Sequence, residues 1–227
     1  MKRNLISLLN PFSKKRSLSG EKGVFRFAQG FAKSDRIALV NHLILKRNYT
    51  SYLEIGVRNK ADMHNKIIAT RRVSVDPDPQ ADADFCMTSN LYFSSQNETF
   101  DIIFIDGLHE GVQVRQDLEN SLSALNEGGI ILLHDLNPPT EFHARKTYEV
   151  DGKFPAWNGT SWEGYVWHRK HSPDLSMCVV DTDWGVGIVE RGCQKNWDGP
   201  TEGYEVLEAN RRDILNLISV SEFLERY

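Results

Sequence analysis

Two unbroken apolar runs, IIFI at 102–105 and IILL at 130–133, constrain the fold of this 227-residue chain more than any other feature. Each is too short for a globular helix and too uniformly apolar for a strand with one wet face. Each therefore reads as a strand buried on both sides, the habit of parallel sheets. Between them lies a stretch of helical period, with Val114, Leu118, Leu122 and Leu125 on one face. Gly128 and Gly129 are expected to stop that helix.

The same alternation of period runs along the chain. Residues 35–47 carry Ile37, Val40 and Ile44 on one face and predict an amphipathic helix, with Ser34 or Asp35 as its N-cap. Strands are expected at 51–57 and at 71–76, the second stopped by Pro77 and Pro79, with a helix at 60–69 between them. A weaker third strand is expected around 84–89, a fourth at 100–106 and a fifth at 130–135, broken by Pro138 and Pro139. Residues 136–172 are irregular, with part of 161–171 helical. LSMCVVDTDWGVGIVER reads as a hairpin around DTDWG, and DILNLISVSEFLERY as helical. Strand–helix alternation predicts an α/β fold, a mostly parallel sheet with helices on both faces. One domain over 34–227 is expected, preceded by an arm over 1–33.

Bulk properties exclude some classes. The net charge of −4 and pI near 6.0 argue against a nucleic-acid partner. The first 20 residues carry five basic residues and no acid, which reads as a solvated arm or, more sharply, as a weak membrane-surface or docking segment. LISLL is too short for a secretory core, and no apolar run approaches the roughly 18 residues of a membrane span. Three scattered cysteines make no disulfide framework and no zinc spacing, which fits a reducing, cytoplasmic setting.

In open α/β sheets, ligands bind at the carboxyl ends of the strands. Here those ends carry Glu54 and Gly56, Asp76, Asp106 and His109, and His134 and Asp135. Gly56 lets backbone approach a ligand closely, and an acid ending the second strand suits a ribose diol. The stretch GVRNKA lacks the GxGxxG cradle for a pyrophosphate, so an adenosine ligand without phosphates is expected. S-adenosylmethionine fits, with Glu54 toward its amino group. Asp106, His134 and Asp135 offer two carboxylates and an imidazole to a divalent cation, and His109 could take a proton from a hydroxyl. Plainer readings stay open: Glu54 and Asp76 in turns, Asp106 as a helix cap, His134 as a core histidine.

The segments YLEIGV, VSVDPDP, FDIIFIDGLHEGVQVRQDLENSLSALNEGGIILLHDLNPP and VVDTDWGVG together resemble class I S-adenosylmethionine-dependent methyltransferases over about residues 50–190. The nearest branch is methyltransferase family 24, related to macrolide-sugar O-methyltransferases and cephalosporin hydroxylase-type proteins. The resemblance implies a Rossmann-like seven-stranded sheet with an antiparallel last strand. It implies that Glu54, Gly56, Asp76 and Asp106 hold the cofactor, with Ser89 and Asn90 near the adenine. It implies that Asp106, His134 and Asp135 bind Mg²⁺ or another divalent metal, with His109 as the IDxxH histidine. Two departures are present: Lys60 stands where relatives often have glycine, and His134-Asp135 replaces Glu-Asp, which shifts metal preference toward imidazole-tolerant ions.

The expected activity is O-methylation of a small hydroxylated, sugar-like acceptor, with homo-oligomerisation left open. A non-catalytic cofactor-binding module partnering a carbohydrate-modifying enzyme is the alternative; a metal-dependent hydrolase is a weaker one. Trp157, Trp162, Tyr165 and Trp167 either roof the acceptor pocket or pack in the core.

Overall fold

The computed structural model describes Glu21 and residues 23–227. The basic stretch 1–20 lies outside the described residues. Residues 24–33, grouped with the arm on sequence, pair as an antiparallel hairpin of β1 (Val24–Phe27) and β2 (Gly30–Lys33). Helix α1 (Arg36–Arg47) follows. Asp35 is its N-cap and accepts from the Ala38 amide at 2.9 Å, and Asn48 closes it in the left-handed region.

The main sheet holds β3 (Ser51–Ile55), β4 (Arg71–Val75), β5 (Phe100–Ile105), β6 (Leu125–Leu133), β7 (Leu175–Val180), β8 (Val186–Arg191) and β9 (Leu217–Ile218). Their order is β4-β3-β5-β6-β8-β7-β9. Strands β3 to β6 run parallel, and β8 runs antiparallel to both of its neighbours. The expected sheet of seven mostly parallel strands is present, but its membership differs. The antiparallel strand is β8, the second strand of the expected hairpin, and it sits between β6 and β7; the two-residue β9 completes the sheet beside β7.

The third strand expected around 84–89 shrinks to a single bridge from Phe85 to Val75. Asp84 is the reason: its carboxylate takes the Ser74 amide at 2.9 Å and the Ser74 hydroxyl at 2.6 Å, so a side chain replaces the ladder. Thr88 then caps α2 (Ser89–Ser95). The helix expected at 60–69 is only a 3-10 turn, His64–Lys66. Asn59 explains this, because its side-chain oxygen accepts from the Ala61 amide at 2.9 Å and offers the backbone a turn instead.

Helix α3 (Gly111–Ser123) ends before the glycines expected to stop it. Gly128 and Gly129 instead lie within β6, where the register with β5 shifts between Phe100 and Ile102. Gly128 is in the left-handed region, and Gly129 passes so close to the Asp101 carbonyl that no Cβ would fit without a shift. The C-terminal pattern also breaks in two. Helix α4 (Ser161–His171) precedes the β7–β8 hairpin; α5 (Tyr204–Leu215) then ends at left-handed Asn216, and a capping box on Ser219 starts α6 (Val220–Arg226).

Both faces of the sheet are covered. Leu53, Ile55, Ile103, Ile105, Ile131 and Leu133 pack with α3, α4 and α5, while Tyr52, Ile102, Phe104, Ile130 and Leu132 pack with α1 and α6. The period-2 alternation thus feeds two cores. The ends of β3 to β6 are held level by this packing, and the site lies there.

Candidate active site

The carboxyl ends of β3, β4, β5 and β6 open on a cavity of about 850 Å³. Its wall includes all nine residues expected to bind a cofactor or metal or to act in catalysis: Glu54, Gly56, Asp76, Ser89, Asn90, Asp106, His109, His134 and Asp135. The volume lies in the range of small-molecule sites.

At the β3 end, Glu54 is buried and accepts from the Tyr52 hydroxyl at 2.9 Å, with His64 Nδ1 at 3.1 Å. Burial pushes its carboxyl above the ordinary range, against the pull of the His64 and Tyr52 hydrogen bonds. Gly56 has a further reason beside the one read on sequence. It sits at φ 83°, and any Cβ there would overlap the Asp106 carbonyl. The glycine lets two strand ends pass each other. Asp76 Oδ2 accepts from the amides of Val57 at 2.8 Å and Arg58 at 2.9 Å, and Oδ1 from Asp78 at 2.8 Å. It therefore fixes the loop after β3, and the residue lines the cavity. Lys60 does not line the cavity, because its ammonium pairs with Asp84 at 2.7 Å.

At the β5 and β6 ends, four groups converge. His109 Nε2 lies 3.3 Å from Asp106, and its Nδ1 lies 3.1 Å from the Trp157 carbonyl and 3.3 Å from Asp135. His134 Nδ1 lies 3.3 Å from Asp106 and 3.5 Å from Asp135. Asp106, His134 and Asp135 offer ligand atoms within 4.8 Å of one another. Burial raises the Asp106 carboxyl, but the charge of His134 and the hydrogen bond from His109 outweigh it and hold the carboxyl low. Burial opposes charge on both histidines, yet the carboxylates win and raise both; His134 is lifted well above its ordinary value. Asp135 is held at φ 61°, an uncommon conformation for a residue with a side chain. Asn158 pins it with a 2.6 Å hydrogen bond to its carboxylate.

The donor set fits a divalent cation. His134 Nε2 lies 2.7 Å from the Asp183 carbonyl, so in the neutral imidazole that a cation requires, an Nε2–H donated there would leave the Nδ1 lone pair facing both carboxylates. Two oxygens and one imidazole nitrogen suit Mn²⁺-like ions as well as Mg²⁺.

Several site residues escaped the sequence reading. Arg36, at the start of α1, lies 2.9 Å from His134 Nε2 and 3.4 Å from Asp183. Asp183 accepts from the Arg36 amide at 2.9 Å and so caps α1. Burial would raise the Asp183 carboxyl, but His134 and Arg36 bring it down to about 2. Neither residue ends a parallel strand, so the strand-end rule passes over both. The DTDWG turn did mark the place, since Asp183, Trp184 and Gly185 are three consecutive left-handed residues.

The four aromatic residues divide between the two readings left open on sequence. Trp162 and Tyr165 are fully buried in the core, and Trp167 stacks under Arg115 at 3.6 Å, away from the cavity. Trp157 alone of that set lines the cavity. It stacks on His109 at 5.2 Å and on Tyr148 at 5.2 Å, and Tyr148 meets Phe154 at 5.1 Å. Arg145 ties this segment down by donating to the carbonyls of Phe142, Tyr148, Pro155 and Ala156.

Comparison with known proteins agrees with this layout. Residues 72–136 match methyltransferase family 24, described as a methyltransferase domain. That span runs from β4 to just past β6 and includes Asp76, Asp106, His109, His134 and Asp135. No curated protein sequence matches the chain. Among solved structures, the Staphylococcus aureus protein provisionally named a caffeoyl-CoA O-methyltransferase aligns with TM-score 0.51 and 14% identity, over 71% of this chain and 86% of its own. The methyltransferase PaMTH1 of Podospora anserina, solved with S-adenosylhomocysteine, aligns with TM-score 0.50 and 16% identity, over 68% and 77%. The cofactor-bound protein Rv0187 from MTB aligns with TM-score 0.51 and 12% identity, over 73% and 82%. Residues 72–136 are thus similar to a methyltransferase domain, and the chain shares its fold with these solved methyltransferases.

Proposed function

We propose that the chain methylates a hydroxyl of a small, sugar-like or otherwise polyhydroxylated acceptor, with His109 as the proton acceptor. The observation that carries this reading is the position of His109: its ring faces the cavity between the carboxylates of Asp106 and Asp135.

S-adenosylmethionine, when bound, supplies a methyl group on a positive sulfonium; transfer forms the oxygen–methyl bond, breaks the sulfur–methyl bond and leaves a neutral thioether. The chain's own residues then have three tasks. Glu54 offers a buried carboxylate to the cofactor's ammonium, and Asp76 sets the loop beside the ribose, with Ser89 and Asn90 at the far end. His109 takes the hydroxyl proton, and its imidazolium is held by Asp106 and Asp135. Trp157 and Tyr148 cover the acceptor and exclude water, which strengthens these charge contacts. Asp106, His134 and Asp135 would hold a divalent cation, whose charge would favour the ionised hydroxyl.

The alternative of a non-catalytic module loses one of its supports, since Lys60 is engaged with Asp84 rather than altering the cavity. Calorimetry with S-adenosylhomocysteine, paired with transfer of a labelled methyl group to a panel of hydroxylated molecules, separates the two. His109→Ala is expected to bind S-adenosylhomocysteine as wild type does and to lose about 100-fold or more in transfer. Absence of binding to wild type sinks the cofactor reading, and full activity in His109→Ala sinks the role of the histidine.

A further inference from the structure

The positive charge of the chain is concentrated at one end. Residues 1–33 carry eight basic residues and one acid, a net charge of +7, whereas residues 34–227 carry −11. So steep an asymmetry matches a polyanionic partner. Five of the eight basic residues lie in 1–20, outside the described residues, and the stretch that follows them is the β1–β2 hairpin.

The hairpin has two unlike faces. On the inner one Phe27 is buried, and Phe25 and Ala32 pack with the core that α1 and α6 share. The Ala28 amide donates to His42 Nδ1 at 2.9 Å and fastens the turn to α1. On the outer face the register sets Val24 opposite Lys33 and Arg26 opposite Phe31. Residues opposed across a ladder share a face, and so do positions two apart, so these four stand together. All four are exposed, Val24 by 67% and Phe31 by 78%. A sheet face in water is normally polar. Here half the positions are large and apolar and the other half are cationic. Glu21, the one acid of residues 1–33, accepts instead from the Ser221 hydroxyl on α6 at 3.4 Å.

We propose that this face docks on an anionic lipid surface. Phe31 and Val24 enter the headgroup boundary, while Arg26, Lys33 and the basic residues before the hairpin meet the lipid phosphates. The apolar pair decides between polyanions. A nucleic acid would answer the charge but give Phe31 and Val24 no apolar partner, whereas a bilayer answers both. The acidic remainder of the chain is repelled by the same surface, which turns the hairpin toward the lipid. Only Ser34 and Asp35 separate Lys33 from Arg36, whose side chain lines the cavity, so docking keeps the site close to the bilayer.

Flotation of the full chain with vesicles tests this. Wild type is expected to bind vesicles of phosphatidylcholine with about one third phosphatidylglycerol about tenfold or more tightly than vesicles of phosphatidylcholine alone. Phe31→Ser changes a side chain outside the core, so it is expected to keep the wild-type melting temperature and to weaken binding about fivefold or more. Arg26→Glu is expected to weaken it about tenfold. Equal affinity for the two kinds of vesicle, or binding to neither, overturns the proposal. So does wild-type binding by both variants, which would leave the residues before the hairpin as the whole attachment. A duplex DNA oligonucleotide bound as tightly as the anionic vesicles, with no loss in Phe31→Ser, would assign the charge to a nucleic acid and overturn the proposal likewise. Methyl transfer is not read in any of these arms, so the failure of this proposal and that of the proposed activity stay distinct.

Discussion

Gly56 shows how much one missing methyl group can decide. A Cβ there would overlap the Asp106 carbonyl, and its φ of 83° already disfavours any side chain. Both penalties act on the backbone, which cannot move without pulling β3 from β5. Gly56→Ala is expected to destabilise the chain by about 3 kcal/mol or more, read as a lower urea midpoint, and to disturb Asp106 even where the protein stays folded. A loss under about 1 kcal/mol would show that the strand ends tolerate the shift. At this scale most of the site was legible in the sequence: Glu54, Asp106, His109, His134 and Asp135 announce themselves as polar groups where apolar runs end. Arg36 and Asp183 did not, since 147 positions separate them and nothing local marks their meeting.

At the scale of elements, β5 and β6 were readable because a strand buried on both faces has no other way to be written. The failures share one cause, competition between local side-chain bonds and regular backbone pairing. Asn59 diverts a helix into a turn, Asp84 replaces a strand, and the glycine pair serves a bulge rather than a helix end. The segment 142–157 is the extreme case, because one side chain organises it. Arg145 donates to four carbonyls, and the Trp157 indole donates back to the Arg145 carbonyl at 2.6 Å. Lysine cannot reproduce this planar fork. Arg145→Lys is expected to raise amide exchange about tenfold or more across 142–157 while α3 and the main sheet keep their protection, measured by hydrogen exchange with mass spectrometry. Unchanged exchange in that segment would mean that the aromatic stack holds it unaided.

For the whole molecule, the end of the sheet opposite the cavity carries its own polar fastener. Asp101 accepts from the amides of Thr50 and Ser51 at 2.8 and 3.0 Å, from the Ser51 hydroxyl at 2.9 Å and from Asn126 at 2.7 Å, joining the β3, β5 and β6 segments. Burial would raise its carboxyl, but the Asn126 side chain and these amides bring it down to about 2. A carboxyl depressed by folding stabilises the native state above its unfolded value of about 3.9, and that contribution disappears as the pH falls toward about 2. Asp101→Asn is therefore expected to cost about 1 kcal/mol at neutral pH, after allowance for its partial exposure. The gap from wild type should close as the pH drops from about 4 to about 2, followed by thermal melts across that range. A gap independent of pH would assign the loss to geometry rather than ionisation.

The strand that dwindles to the Phe85 bridge has a consequence beyond the site. An open sheet presents unpaired amides and carbonyls at its two margins, where another molecule can add a strand and seed aggregation. Here one margin is the five-residue β4, opening with Arg71 and Arg72 and blocked near its end by Phe85 and the Asp84 carboxylate. The other is β9, two residues long and closed off at once by the Ser219 capping box. Neither margin offers a long, uncharged, hydrophobic template, so this sheet resists intermolecular strand addition at both ends.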